Sequence, residues 1–188
     1  MRPPTVQVYR WTRQEFEQLA SIGIFDPEER LELLDGGIFH KTPQSAWHAT
    51  CICLLAETLH RIYQRGYEIR VQMPLAIDAR SLPEPDITVV MGHLLDYQEA
   101  HPTTALFVAE VSDSSLTHDK ERKLPRYARN GIPEYWIINL SDFCLEVHRN
   151  PAGDVYQSQT IYHIGDTVAL LSHPAVQIPV ADLLPKVA

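Results

Sequence analysis

Pro85-Asp86-Ile87-Thr88-Val89-Val90 and Ala105-Leu106-Phe107-Val108-Ala109-Glu110-Val111 are the two stretches that decide the fold of this chain. Both are short, rich in β-branched and aromatic residues, and fenced by Pro, Ser, Asp or Gly, so each reads as an interior strand. Asp86 opens the first and Glu110 closes the second, which sets a carboxylate where each buried strand meets water. An ionised carboxylate inside such a strand is costly unless something pairs with it. The two acids are 24 residues apart, enough for a strand, a loop and a return strand beside the first. Taken singly, Asp86 could cap a loop and Glu110 could bond a nearby lysine or arginine. Taken together they would repel each other, and a divalent cation is the simplest remedy. Mg2+ suits them, with Mn2+ as its substitute: it takes oxygen ligands at about 2.0–2.1 Å and keeps waters, one of which can become a nucleophile.

Downstream of Glu110, a helix is expected over residues 118–130, stopped by Gly131 and Pro133. Asp119, Lys123 and Tyr127 step by four and share one face of it. Lys123 is therefore a candidate third member of the acid pair, although an exposed Asp119–Lys123 pair would explain the spacing equally well. Pro125 removes a helical hydrogen bond and should bend the segment beside Lys123. Residues 135–140 form a strand with almost no polar position, hence covered on both faces.

Upstream, His48, Ile52, Leu55, Leu59 and Ile62 mark one face of a long helix over 45–65, ended by Gly66. His48 begins that face and points inward, as a structurally satisfied histidine or as part of the site. Residues 30–41 read as a hairpin turning at Asp35-Gly36, with Glu32 on the polar side of its alternation, either a surface acid or a further site carboxylate. Thr12 and Glu15 form a capping box for a helix over 12–22. Strands are expected at 67–73 and 75–78, an irregular stretch or a short helix at 92–103, a hairpin of 145–148 with 155–162 turned by 150–154, and a strand at 168–171. The pattern describes one α/β domain over 1–188 with a central mixed sheet flanked by helices, a core at about 31–140 and extra β-strands over about 143–188.

Composition narrows the partners. With 188 residues, 45% hydrophobic and 21% charged, the chain can bury a real core and is not a disordered one. No apolar run approaches the roughly 20 residues of a membrane helix, and residues 1–7 lack the apolar stretch of a signal peptide. Three cysteines without ligand spacing read as buried reduced thiols, so a cytoplasmic location is expected. The net charge of −8 works against a large nucleic-acid surface. Between His118 and Asn130, however, Lys120, Arg122, Lys123, Arg126 and Arg129 outnumber Asp119 and Glu121 and leave a local basic patch.

The order Glu32-Leu33-Leu34-Asp35-Gly36, His48, Pro85-Asp86, Glu110-Val111-Ser112, Asp119, Lys123, Tyr127 and Gly131-Ile132-Pro133-Glu134-Tyr135-Trp136 resembles the Uma-type restriction-endonuclease family, part of the PD-(D/E)XK nuclease superfamily. The resemblance covers roughly 31–140. It implies a restriction-endonuclease-like fold, a magnesium site at Asp86 and Glu110, and cleavage of phosphodiester bonds; DNA is the expected substrate, and the Val111 carbonyl is a candidate further ligand. It also implies a homodimer, for which the apolar C-terminal β segment is a second indication. The superfamily pattern places its lysine two residues after the acid, where this chain has Ser112. The Uma type moves that lysine to the following helix, which points to Lys123. Glu32, His48, Ser112, Asp119 and Tyr127 are then the supporting residues. A silent nuclease-fold scaffold that binds a partner, or a metal-dependent hydrolase of another substrate, remain the alternatives.

Overall fold

The computed structural model describes residues 7–26, 28–41 and 43–186. Residues 1–6, most of the stretch read above for a leader, and the last two of the C-terminal extension lie outside them. The chain begins with α1 (Arg13–Ser21), closed at its start by the Thr12–Glu15 capping box, and a hairpin of β1 (Leu31–Leu34) with β2 (Gly37–His40). Asp35 and Gly36 both have positive φ, the backbone that a two-residue hairpin turn requires. A Cβ on Gly36 would come within 2.8 Å of Trp11 backbone, so glycine is also needed there for close approach.

The long helix, α2 (Ala46–Ile62), starts at an N-capping Ser45. It ends three residues before the expected stop because Tyr63 turns to extended backbone and stacks its ring edge-on against Tyr67 and His173. Then come β3 (Tyr67–Val71), β4 (Ile87–Met91), a short 3-10 turn at Leu94–Tyr97 and β5 (Phe107–Ser112). Residues 75–78 are not a strand. Their backbone bonds go to different segments, Leu75 N to Pro83 and Ala76 N to Pro102, instead of to one partner.

The helix expected at 118–130 starts at Leu116 and is divided. A single α turn, α3 (Leu116–His118), leads into a wide π turn (Asp119–Lys123) and then α4 (Leu124–Arg129). Pro125 is the physical cause: it has no N–H to give the preceding turn, and the chain widens so that Leu124 N bonds Asp119 O five residues back. The segment is widened beside Lys123, where a bend was expected.

The chain closes with β6 (Glu134–Asn139), β7 (Cys144–Ala152), β8 (Val155–His163), β9 (Thr167–Leu170) and β10 (His173–Pro179). β3 through β8 form one mixed sheet in sequence order, antiparallel except where β6 runs parallel to β5 after the helical crossover. The turn between β7 and β8 is tighter than expected, since Ala152 still pairs with Val155. β9 and β10 are a separate hairpin.

Alternation along the strands sorts side chains onto two faces. Ile87, Val89, Phe107, Ala109, Val111, Trp136 and Ile138 pack against Cys51, Ile52, Leu55 and Leu59 of α2 and against the C-terminal strands. Val90, Val108, Tyr135 and Ile137 pack on the opposite face with Tyr127 of α4. The two decisive runs are neighbours: Ile87 lies opposite Ala109, and one further step of that register sets Asp86 across from Glu110. Of the three cysteines, Cys51 and Cys144 are buried and Cys53 is exposed, because it faces away from the sheet on α2. No described helix is long and apolar enough to cross a membrane.

Candidate active site

Asp86, Glu110 and Lys123 converge at the bottom of a cavity of about 240 Å3, and are only 3%, 2% and 3% exposed. Lys123 Nζ lies 3.0 Å from Glu110 Oε1, 3.3 Å from Glu32 Oε2 and 3.7 Å from Asp119 Oδ1. Tyr127 donates to the same Glu110 Oε1 at 2.8 Å. Asp119 is fixed in turn by the hydroxyls of Ser112 and Ser115, each 2.7 Å from Oδ2. On the other side, Asp86 Oδ2 accepts from the Val111 N–H at 2.9 Å and lies 3.2 Å from His48 Nε2. His48 is thus beside an acid of the site, and its Nδ1 is buried without a partner among the described residues.

The structure adds residues that the sequence did not single out. Gln72, held at positive φ just past β3, donates Nε2 to Asp86 Oδ1 at 3.1 Å. His118 Nε2 lies 3.1 Å from Glu32 Oε1. Lys41 bonds Glu84 Oε1 at 3.2 Å, and Glu84 donates its N–H to Glu32. The π turn explains His118. In a wide turn residues five apart stack, so His118 and Lys123 come to grip the two oxygens of one carboxylate; on a regular helix they would face different ways. No local signal marks Lys41 or Gln72, because each acts across the fold.

The charges settle differently on each acid. Burial alone would raise the Asp86 carboxyl, but the His48 hydrogen bond and the charges of Lys41, His48 and Lys123 hold it well below the usual carboxylate range. Burial also opposes Glu32, and there Lys123, the His118 hydrogen bond, Lys41 and the Glu84 N–H bring it down to about 2. Glu110 goes the other way: burial, against the pull of Lys123 and reinforced by Asp119 and Asp86, pushes it up to about 8. Burial works against a charged Lys123, yet Glu110, Glu32, Asp119 and Asp86 outweigh it and raise its ammonium well above the usual range. The repulsion expected between Asp86 and Glu110 is therefore relieved unequally: Lys41, His48 and Lys123 keep Asp86 ionised, whereas Glu110 holds its proton up to about pH 8.

The basic patch is largely consumed internally. Lys120 Nζ lies 2.7 Å from buried Glu146, Arg126 reaches Asp35 at 2.6 Å, and Arg129 reaches Asp154 at 2.6 Å. These cations tie the helical segment to the hairpin and to the outer strands, since the surrounding acids are near neighbours in space though distant in sequence.

Among the described residues no group of three or more His, Cys, Asp or Glu side chains is arranged to hold a metal ion. A hard cation needs fewer protein ligands than that, since Mg2+ keeps several waters and uses one or two carboxylates. Both Glu110 contacts fall on Oε1, and Oε2 has no hydrogen bond among the described residues. Glu110, Val111 and Asp86 line the same cavity. The donor set of carboxylate and backbone oxygens suits such an ion.

The fold has a counterpart in the crystal structure of a putative nuclease belonging to DUF820 from Anabaena variabilis ATCC 29413. The two are 17% identical, with a TM-score of 0.74 over 92% of this chain and 97% of that one. No curated protein matches the chain. Its sequence matches the Uma2 family, described as putative restriction endonuclease, over residues 13–181. A match of that extent identifies the chain as a member of the Uma2 family, whose description is putative restriction endonuclease.

Proposed function

We propose that this protein is a Mg2+-dependent endonuclease that hydrolyses phosphodiester bonds in DNA. The observation that carries the reading is the buried convergence of Asp86, Glu110 and Lys123 from two neighbouring strands and the following helical crossover. Asp86, Glu110 and the Val111 carbonyl would hold Mg2+, which when bound lowers the pKa of a water and offsets charge on the phosphate. Lys123 contributes a fixed positive charge next to the reacting phosphate, where a preorganised charge is worth most. Glu32, Asp119 and Tyr127 hold Lys123 and Glu110 in place, and His48 and Gln72 orient Asp86.

The accompanying proposal is a homodimer through the C-terminal strands, supported by exposed Val155, Ile161, Ile164, Leu171 and Val176. The test of the activity is cleavage of a DNA panel with Mg2+ or Mn2+, together with the ion-induced rise in melting temperature. A ligand selective for the folded state raises stability by mass action. Asp86→Ala combined with Glu110→Ala should abolish cleavage and remove that rise. An equal rise in wild type and double mutant would refute the metal site. Ion binding without turnover of any DNA would favour a silent scaffold or a hydrolase of another substrate.

A further inference from the structure

We infer that the site takes single-stranded DNA, with a base stacked on Trp47 outside the cavity while the phosphate sits inside it; this inference rests on the phosphodiesterase reading above. Three independent features lead there.

The first is access. Asp86, Glu110 and Lys123 are almost wholly buried at the bottom of a cavity of about 240 Å3. Its walls come from the end of β2, the residues before α2 and the loop after β5. A duplex presents its phosphates on a broad, stiff surface that such a cavity does not admit. A single strand can bend one phosphate inward.

The second is charge. Duplex binding depends on cations free to meet phosphates along both strands. Here Lys41 and Arg30 bond Glu84, and Lys120, Arg126 and Arg129 are paired with Glu146, Asp35 and Asp154. Little is left for a long backbone track on a chain of net charge −8.

The third is an aromatic platform beside the mouth. Trp47 stands in the first turn of α2 between Ser45 and His48, both of which line the cavity, and is 45% exposed. Phe143 meets it edge-on, with centroids 5.5 Å apart and planes at 81°. Phe143 is itself held at φ 50°, a left-handed backbone that an aromatic residue adopts only at a cost. The turn that carries it is anchored to the cavity wall: Ser141 donates to the Asp113 carbonyl, and Ser45 donates to the Asp113 side chain at 3.1 Å. A strained residue thus props an exposed indole next to a nuclease-like cavity. Sequence-tolerant recognition of single strands uses such rings, because every base offers a π face.

The test is binding of a short fluorescein-labelled oligodeoxynucleotide, single-stranded or as a duplex, with Ca2+ replacing Mg2+ so that affinity is read without relying on turnover. The single strand should bind at least about tenfold tighter than the duplex. Trp47→Ala should weaken single-strand binding by about tenfold while leaving duplex binding and melting temperature unchanged, and Trp47→Phe should restore most of it. Equal or tighter binding of the duplex, wild-type affinity in Trp47→Ala, or no binding of either form would each overturn the inference. Cleavage assays with Mn2+ separate the two readings. Preferential cleavage of duplex removes the single-strand assignment and leaves the phosphodiesterase standing, whereas no cleavage of any DNA removes the phosphodiesterase.

Discussion

Two buried glutamates in neighbouring strands of one sheet behave in opposite ways. Glu134, at the start of β6, is 1% exposed and fully engaged. Its Oε1 accepts from Arg149 Nε and Trp136 Nε1, both at 2.9 Å, and its Oε2 accepts from Leu171 N at 2.8 Å. Glu110, on β5, is 2% exposed, shares its surroundings with the carboxylates of Asp119 and Asp86, takes both of its contacts on one oxygen and lines a cavity. Burial of an acid in a strand is therefore no mark of a site by itself. Glu134 pins the C-terminal hairpin to the sheet, and every part of it is used. Glu110 is held by less than it can accept, beside open space, and that unused capacity is what chemistry requires.

The contrast predicts different consequences for the cations that face each acid. Lys123→Ala should have the largest effect, because it removes a charge that serves the fold and, in the proposed function, the reaction. We expect cleavage to fall about a hundred- to a thousandfold. We also expect a stability loss of about 3–5 kcal/mol from the buried carboxylates left behind. Single-turnover rates measured below the variant's melting temperature, alongside denaturant unfolding, separate the two effects. A wild-type rate would show that Lys123 is only a structural counter-ion, like Arg149.

Glu134→Ala should lose a similar amount of stability, about 3–5 kcal/mol, since Arg149 would be left without its acid. Cleavage per folded molecule should not change. A fall in rate at constant folded fraction would break the distinction between the two glutamates.

The next effect is seen in pH dependence. Glu32 is brought from 4.5 down to about 2 on folding, so it contributes stability above pH 4.5 that is lost as pH falls toward 2. At roughly 1.4 kcal/mol per pKa unit, that is about 3 kcal/mol of acid sensitivity. Glu110 has the opposite sign: its raised carboxyl is a cost to folding above pH 8 that shrinks as pH falls toward 4.5. Unfolding curves across this range should therefore show Glu32→Gln flattening the limb below pH 4.5, and Glu110→Gln flattening the decline between pH 4.5 and 8. An unchanged acid limb in Glu32→Gln would mean that Glu32 is not the acid gripped by Lys123 and His118.

Lys120→Ala should do least. The lysine is partly exposed, and Glu146 also accepts from Asn139 and Gln159, so a loss of roughly 0–1 kcal/mol is expected. DNA affinity should be unaffected. A clear drop in affinity would return Lys120 to the nucleic-acid surface that its place in the basic run suggested.

Local pattern was enough for much of this protein. Alternation and β-branching placed β4, β5 and β6, Asp35-Gly36 set the hairpin turn, and Thr12 with Glu15 capped α1, because each depends on residues a few positions apart. The same pattern put Asp86 and Glu110 at facing strand ends, since an acid that interrupts an apolar run is visible without knowing its neighbours. Tertiary structure alone decided who meets them. His118 and Glu32 are 86 positions apart, and Lys41 and Glu84 are 43 apart, so no periodicity links them. Whether Lys120, Arg126 and Arg129 were free or paired depended likewise on acids brought in by other strands and by the hairpin. The Pro125 disturbance could be read from the sequence, but its outcome could not. A missing hydrogen bond permits either a bend or a wide turn, and packing of His118 and Lys123 against the one carboxylate of Glu32 selects the wide turn.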